Sequence, residues 1–95
     1  MTNEKSESFY NRLREQLAND RVWPAPYLFK FIVPAGKRRS EMVCEFFESF
    51  QADIRVRESS NGNYSSISIE LVMDSPEAII QKYKEVSVVE GVISL

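Results

Sequence analysis

Residues 53–73 read DIRVRESSNGNYSSISIELVM, and this stretch decides the fold. Ile54 and Val56 alternate with Arg55 and Arg57, while Ile67, Ile69, Leu71 and Met73 alternate with Ser66, Ser68 and Glu70. A period of two places each set on one face of an extended chain, so two strands are predicted over Asp53–Ser59 and Tyr64–Met73. Between them Asn61-Gly62-Asn63 supplies residues that tolerate positive φ, as a tight hairpin demands.

The segments on either side follow the same reading. Upstream, Tyr27, Phe29, Phe31 and Val33 share one face of a strand over Tyr27–Val33, and Leu28, Lys30 and Ile32 share the other. Pro34-Ala35-Gly36 closes that strand. Ser40 then caps a predicted helix whose apolar stripe is Met42, Val43, Phe46, Phe47 and Phe50, with Glu41, Glu45 and Glu48 toward water. Further upstream, Phe9, Leu13 and Leu17 at four-residue spacing predict an amphipathic helix over Ser8–Asn19, ended before Trp23 by Pro24 and Pro26. Downstream, Ser75-Pro76-Glu77 is a helix start with a serine cap, proline in the first turn and a carboxylate where the helix dipole favours it. Ala78, Ile79, Tyr83 and Val86 give that helix its buried side. Val88–Leu95 reads as a last strand, with Gly91 marking a bulge or a close backbone approach.

The order is a helix followed by β-α-β-β-α-β. Right-handed crossovers without crossed loops close this order into an α+β, ferredoxin-like βαββαβ sandwich. Its expected form is a four-stranded antiparallel sheet with two helices on one face, over residues 23–95, preceded by an N-terminal helical extension over residues 1–22. The outward face of that sheet is expected to carry Lys30, Arg55, Arg57, Ser66, Ser68 and Glu70 together with Leu28, Ile32 and Val72. An apolar middle of this kind calls for cover by the N-terminal helix or by a second copy.

Composition narrows the chemistry. A chain of 95 residues, 43% apolar and 27% charged, has the make-up of one packed domain. A net charge of −2 disfavours whole-domain affinity for nucleic acid, and a recognition sheet for RNA would need outward aromatics where this chain has serines. No apolar run approaches the roughly 20 residues that cross a bilayer. Cys44 is the only cysteine, so no intramolecular disulfide forms. Together with a polar Met1–Glu7 that lacks an export pattern, this points to the cytoplasm. The chain has no histidine, which removes the usual nucleophile–base triads and, with one cysteine, zinc. No catalytic residues, metal or cofactor are expected.

Three segments carry a family resemblance. Trp23-Pro24-Ala25-Pro26-Tyr27-Leu28-Phe29-Lys30, the hairpin Ser59-Ser60-Asn61-Gly62-Asn63-Tyr64-Ser65-Ser66, and Tyr83-Lys84-Glu85 followed by Val89-Glu90-Gly91-Val92 resemble the YbeD-like family of uncharacterised bacterial proteins, domain-of-unknown-function family number 493. The likeness covers Trp23 to Leu95. It implies a ferredoxin-like fold similar to ACT regulatory domains, which bind small metabolites and pair through sheets or helices, and it implies no known catalysis. This chain departs from the family by placing Ile32-Val33-Pro34-Ala35 before Gly36, where the family usually has glycine directly after the first strand. That departure undercuts a binding role borrowed for this loop.

Two candidate sites stand on their own residues. Gly36-Lys37-Arg38-Arg39-Ser40 brings three cations to a predicted helix start, where a phosphate or carboxylate fits; a solvated basic loop is the plainer alternative. Ser59, Ser60, Asn63 and Tyr64 add more polar groups to the hairpin than a turn requires, and are expected to face a ligand or partner. The expected function is a non-enzymatic regulatory module, acting as a homodimer, that binds a small anionic metabolite or a partner protein. The alternative is a nucleic-acid-binding domain using Lys37, Arg38, Arg39, Arg55 and Arg57.

Overall fold

The computed structural model describes residues 4–95. Met1–Asn3, at the head of the extension expected over residues 1–22, lie outside the described residues. The elements in chain order are α1 (Glu4–Asp20), β1 (Ala25–Pro34), α2 (Arg39–Glu45), β2 (Asp53–Glu58), β3 (Tyr64–Met73), α3 (Pro76–Val86) and β4 (Ile93–Ser94). The four strands form one sheet in the order β2-β3-β1-β4, with every neighbouring pair antiparallel.

The period-two pattern decides which face each helix covers. Register sets Phe29 opposite Ile69 and Phe31 opposite Ile67, so the two central strands present one continuous apolar face. Those four side chains are completely buried, together with Val43 and Phe47 from the α2 segment and Ile79 and Val86 from α3. α3 begins as its sequence dictates, with Ser75 accepting a hydrogen bond from the Ala78 N–H at 3.2 Å and Pro76 in the first turn.

α1 lies beside α3 on the same side of the sheet. Leu17 joins the core, the Trp23 indole N–H donates to the Leu17 carbonyl at 2.9 Å, and Arg14 pairs with Glu77 of α3. The N-terminal helix therefore does not cover the outward sheet face, contrary to one of the two covers expected for it. Packing decides this, because Tyr10, Leu13 and Leu17 pack on the core beside α3, while Phe9 of the expected stripe is 54% exposed. On the outward face Leu28 is 46% and Val72 is 60% exposed.

Two further expectations are corrected. Ser40 does not cap α2; Arg38 occupies the cap position with φ 55° and no side-chain cap bond, and the helix starts at Arg39. Gly36, Lys37 and Arg38 all adopt positive φ, so the backbone turns into the helix two residues earlier than a serine cap requires. The helix also ends at Glu45, after which Phe46, Phe47, Glu48 and Phe50 close three-residue turns, each N–H donating to the carbonyl three residues back. Phe47 stays buried through this tightening while Met42 and Phe50 become exposed.

The last strand is also shorter than Val88–Leu95. Val88, Val89 and Val92 close successive turns of the same kind, and pairing with β1 starts only at Ile93. Gly91 has φ +76°, and a Cβ added there would sit 2.7 Å from Cγ of Pro34, which is the close backbone approach foreseen for it. Gly62 has a similar φ of +75° but open space around it. Gly91→Ala is expected to cost about 1–3 kcal/mol, and Gly62→Ala only about 1 kcal/mol. Urea denaturation midpoints of the two variants check the ranking.

Candidate functional site

The two candidate loops meet at one end of the sheet. Pro34 lies opposite Tyr64, and the Ala35 N–H donates to the Asn63 carbonyl at 2.9 Å, so the β1–α2 loop and the hairpin are joined by backbone. The α3–β4 turn reaches the same place through Gly91 against Pro34 and through an ion pair of Arg39 with Glu90 at 2.8 Å.

The chemistry of the basic loop is largely taken up inside the fold. Arg39 has an 11% exposed side chain, and besides Glu90 its guanidinium donates to the carbonyls of Ala35 at 3.1 Å and Gly36 at 3.3 Å. It fastens three segments together instead of facing a ligand. That bond, with the nearby charge of Lys37, holds the Glu90 carboxyl below the usual glutamate range. Arg38 is exposed and donates to Glu41 at 2.7 Å, with Glu45 at 3.6 Å, and these carboxylates raise its pKa further. Lys37 is exposed at the loop tip. Ser40 lies inside α2, on the flank that faces β2.

The hairpin uses part of its polar surplus on itself. The Ser59 hydroxyl donates to Oδ1 of Asn61 at 2.8 Å and accepts from the Tyr64 N–H at 3.1 Å, while Asn61 Oδ1 also accepts from the Asn63 N–H. Ser59 is thus a turn-forming residue. Ser60 and Tyr64 stay exposed, with Tyr64 on the outward face of the sheet beside Pro34.

Cys44 and Tyr83 are both held in their neutral forms. Burial, with a smaller contribution from Glu41, pushes the Cys44 thiol up, which suppresses the thiolate. The Tyr27 and Tyr83 hydroxyls are 2.8 Å apart, and burial followed by that bond pushes Tyr83 far above the usual phenol range, so it remains neutral. Among the described residues no group of three or more acidic, cysteine or histidine side chains is placed to hold a metal, and no helix is long and apolar enough to cross a membrane.

The bare face of the sheet is the surface that sequence reasoning underrated. Two aliphatic patches lie on it. Pro26, Leu28 and Val72 form one, and Ile32, Ile93 and Leu95 form the other, where the Leu95 N–H donates to the Lys30 carbonyl. Between the patches runs a polar band with a shallow depression of about 280 Å³ lined by Leu28, Lys30, Asp53, Arg55, Ser68 and Glu70. The alternation in residues 27–33 and 64–73 carried the signal for this face. What it lacked was the position of α1.

The fold and this surface define a mixed α+β domain with a four-stranded antiparallel sheet, helices on one side and, among the described residues, nothing on the other. The chain belongs to the family described as a protein of unknown function, DUF493, which matches residues 21–95. No curated protein and no solved structure gives a significant match.

The loop geometry makes a sharp contrast between neighbours. Arg39→Ala removes a charged group from three acceptors and is expected to destabilise the fold by about 1–3 kcal/mol. Arg38→Ala, on an exposed pair, is expected to change stability by less than about 0.5 kcal/mol. Chemical denaturation of the two single variants measures both.

Proposed function

We propose that this chain is a non-enzymatic regulatory module of ferredoxin-like fold that works in the cytoplasm by docking a protein partner on the bare face of its sheet. The strand order β2-β3-β1-β4 with helices between β1 and β2 and between β3 and β4 supports the ferredoxin-like reading. The absence of histidine from the chain and the raised Cys44 thiol support a role without nucleophilic catalysis.

The carrying observation is the outward face itself, with Leu28 and Val72 both exposed and charges of both signs between the aliphatic patches. Protein interfaces have this anatomy, apolar anchors within a polar surround. Small-molecule sites instead enclose most of their ligand in a concave, largely apolar pocket, and the depression here is open and lined mainly by charged groups. The loop cations add little to a metabolite site, since Arg39 is internal and Arg38 is paired.

Two measurements test this reading. In-cell crosslinking of the tagged chain should give a discrete heterologous product that Leu28→Asp with Val72→Asp abolishes, while circular dichroism of that variant stays native. A thermal-shift screen against anionic metabolites should show no saturable stabilisation. A ligand-specific shift removed by Lys37→Ala with Arg38→Ala, with no partner crosslinked through the face, would reject protein docking in favour of metabolite sensing.

A further inference from the structure

The two edges of the sheet are unlike. β4 pairs with β1 over two residues only, whereas β2 presents six consecutive exposed residues, Asp53–Glu58, with neither proline nor lysine among them. An exposed edge strand is a template for another strand, and the four charges of this one, Asp53, Arg55, Arg57 and Glu58, select which strand it accepts. Its free hydrogen-bonding groups follow from the hairpin. The Ser59 N–H donates to the Tyr64 carbonyl, so in the alternating antiparallel ladder Arg57, Arg55 and Asp53 also bond toward β3. Ile54, Val56 and Glu58 therefore turn their N–H and C=O groups outward, away from the sheet.

We propose that β2 pairs antiparallel with β2 of a second copy, on a twofold axis at Arg55, to make one continuous eight-stranded sheet. This interface rests on reading the chain as an interaction module, but it uses the edge of the sheet, taking Asp53 and Arg55 at the margin of the bare face and leaving Leu28 and Val72 free. Only registers that keep like faces together are possible, because opposite residues in a ladder share a face. With Arg55 opposite Arg55, Asp53 lies opposite Arg57 twice and Ile54 opposite Val56 twice. Both sets are matched, the first by charge and the second by apolar contact. Shifting the axis to Val56 sets Arg55 against Arg57 twice and Ile54 against Glu58, and shifting it to Ile54 keeps Asp53 opposite Arg55 but sets Val56 against the small Ala52 and leaves Arg57 opposite Gln51 without a countercharge. The like pair on the axis is balanced by Asp53, which already holds Arg55 of its own strand at 3.2 Å.

The helix side of this edge agrees with a twofold partner. Ile54 is 37% and Val56 is 49% exposed although both lie on the apolar face of the sheet, opposite buried Ile69 and Ile67. They need a neighbour that one copy does not supply. Val56 floors a groove along the flank of α2 whose rim runs from Arg38, through Glu41 and Glu45, to Glu48. A twofold normal to the sheet runs the two flanks in opposite directions, setting the cationic end of each toward the anionic end of the other.

The register makes the test specific. Arg55 is in a position whose backbone bonds go to β3, so across the axis it forms a non-hydrogen-bonded pair, the closer of the two kinds and within reach of a disulfide after substitution. In a Cys44→Ser background, Arg55→Cys should oxidise in a glutathione buffer to a linked dimer in most molecules. Val56→Cys in the same background should link at least tenfold less. Sedimentation equilibrium of the unmodified chain should give twice its 11.0 kDa mass at high concentration. Arg57→Asp should weaken association at least tenfold, and adding Asp53→Arg should restore it, with circular dichroism verifying the fold of each variant. A monomer at several hundred micromolar, or preferential linkage through Val56→Cys, overturns the pairing. Either result leaves docking through Leu28 and Val72 standing, since those residues are on the face and not the edge.

Discussion

Everything in this fold depends on Phe29. It is completely buried on the central strand β1, with its ring centroid 5.1 Å from that of Phe47 in the turn after α2, 5.2 Å from Tyr83 of α3 and 5.9 Å from Phe31 on its own strand. Tilted, edge-on and stacked aromatic contacts of this kind contribute about 0.5–1.5 kcal/mol each beyond the area they bury. Both crossover segments are thereby drawn to one face of the sheet. A second clamp works from the helix side. Lys82 of α3 donates to the Phe46 carbonyl at 2.7 Å and to Glu85 at 2.9 Å, and its ammonium lies 4.7 Å from the ring centroid of Phe50. It satisfies a carbonyl at the end of α2 and ties α2 to α3 across 36 residues of chain.

The consequence is asymmetry. Apolar material from α1, α2 and α3 collects on one side, and the other side keeps its aliphatic side chains in water. α2 is too short to shield the edge of the sheet, so β2 stays exposed along its whole length. In a domain of this size the same feature that simplifies the core leaves two unpartnered surfaces, the face and the edge. Their chemistry differs. The face is a patchwork of aliphatic groups and both charges, the surface proposed for another protein, whereas the edge has a self-complementary order of charge and apolar residues, the surface proposed for a second copy.

The parts of the structure legible in the sequence were those encoded locally. Two-residue alternation gave β1, β2 and β3 nearly to their ends, Asn61-Gly62-Asn63 gave the hairpin, and Ser75-Pro76 gave the start of α3. Three-dimensional competition hid the rest. Ser40 looked like a cap because capping chemistry is local, yet Gly36, Lys37 and Arg38 had already turned the chain through positive φ. Val88 and Val89 looked like strand, but Val89 is drawn into the core by a turn following α3. Arg39 looked like a ligand-binding cation because nothing near it in sequence reveals that Glu90, 51 residues away, would reach it. The meeting of the basic loop with the hairpin was likewise invisible until β1 and β3 were placed in register.

Equilibrium urea unfolding of Phe29→Ala, followed at once in the near- and far-ultraviolet, is the most direct measurement of the central constraint. If this ring unites the sheet with both crossover segments, the variant should lose about 3–5 kcal/mol, with the aromatic and helical signals falling in one coincident transition. A loss below about 1 kcal/mol, or helical signal that outlasts the aromatic signal, would contradict it.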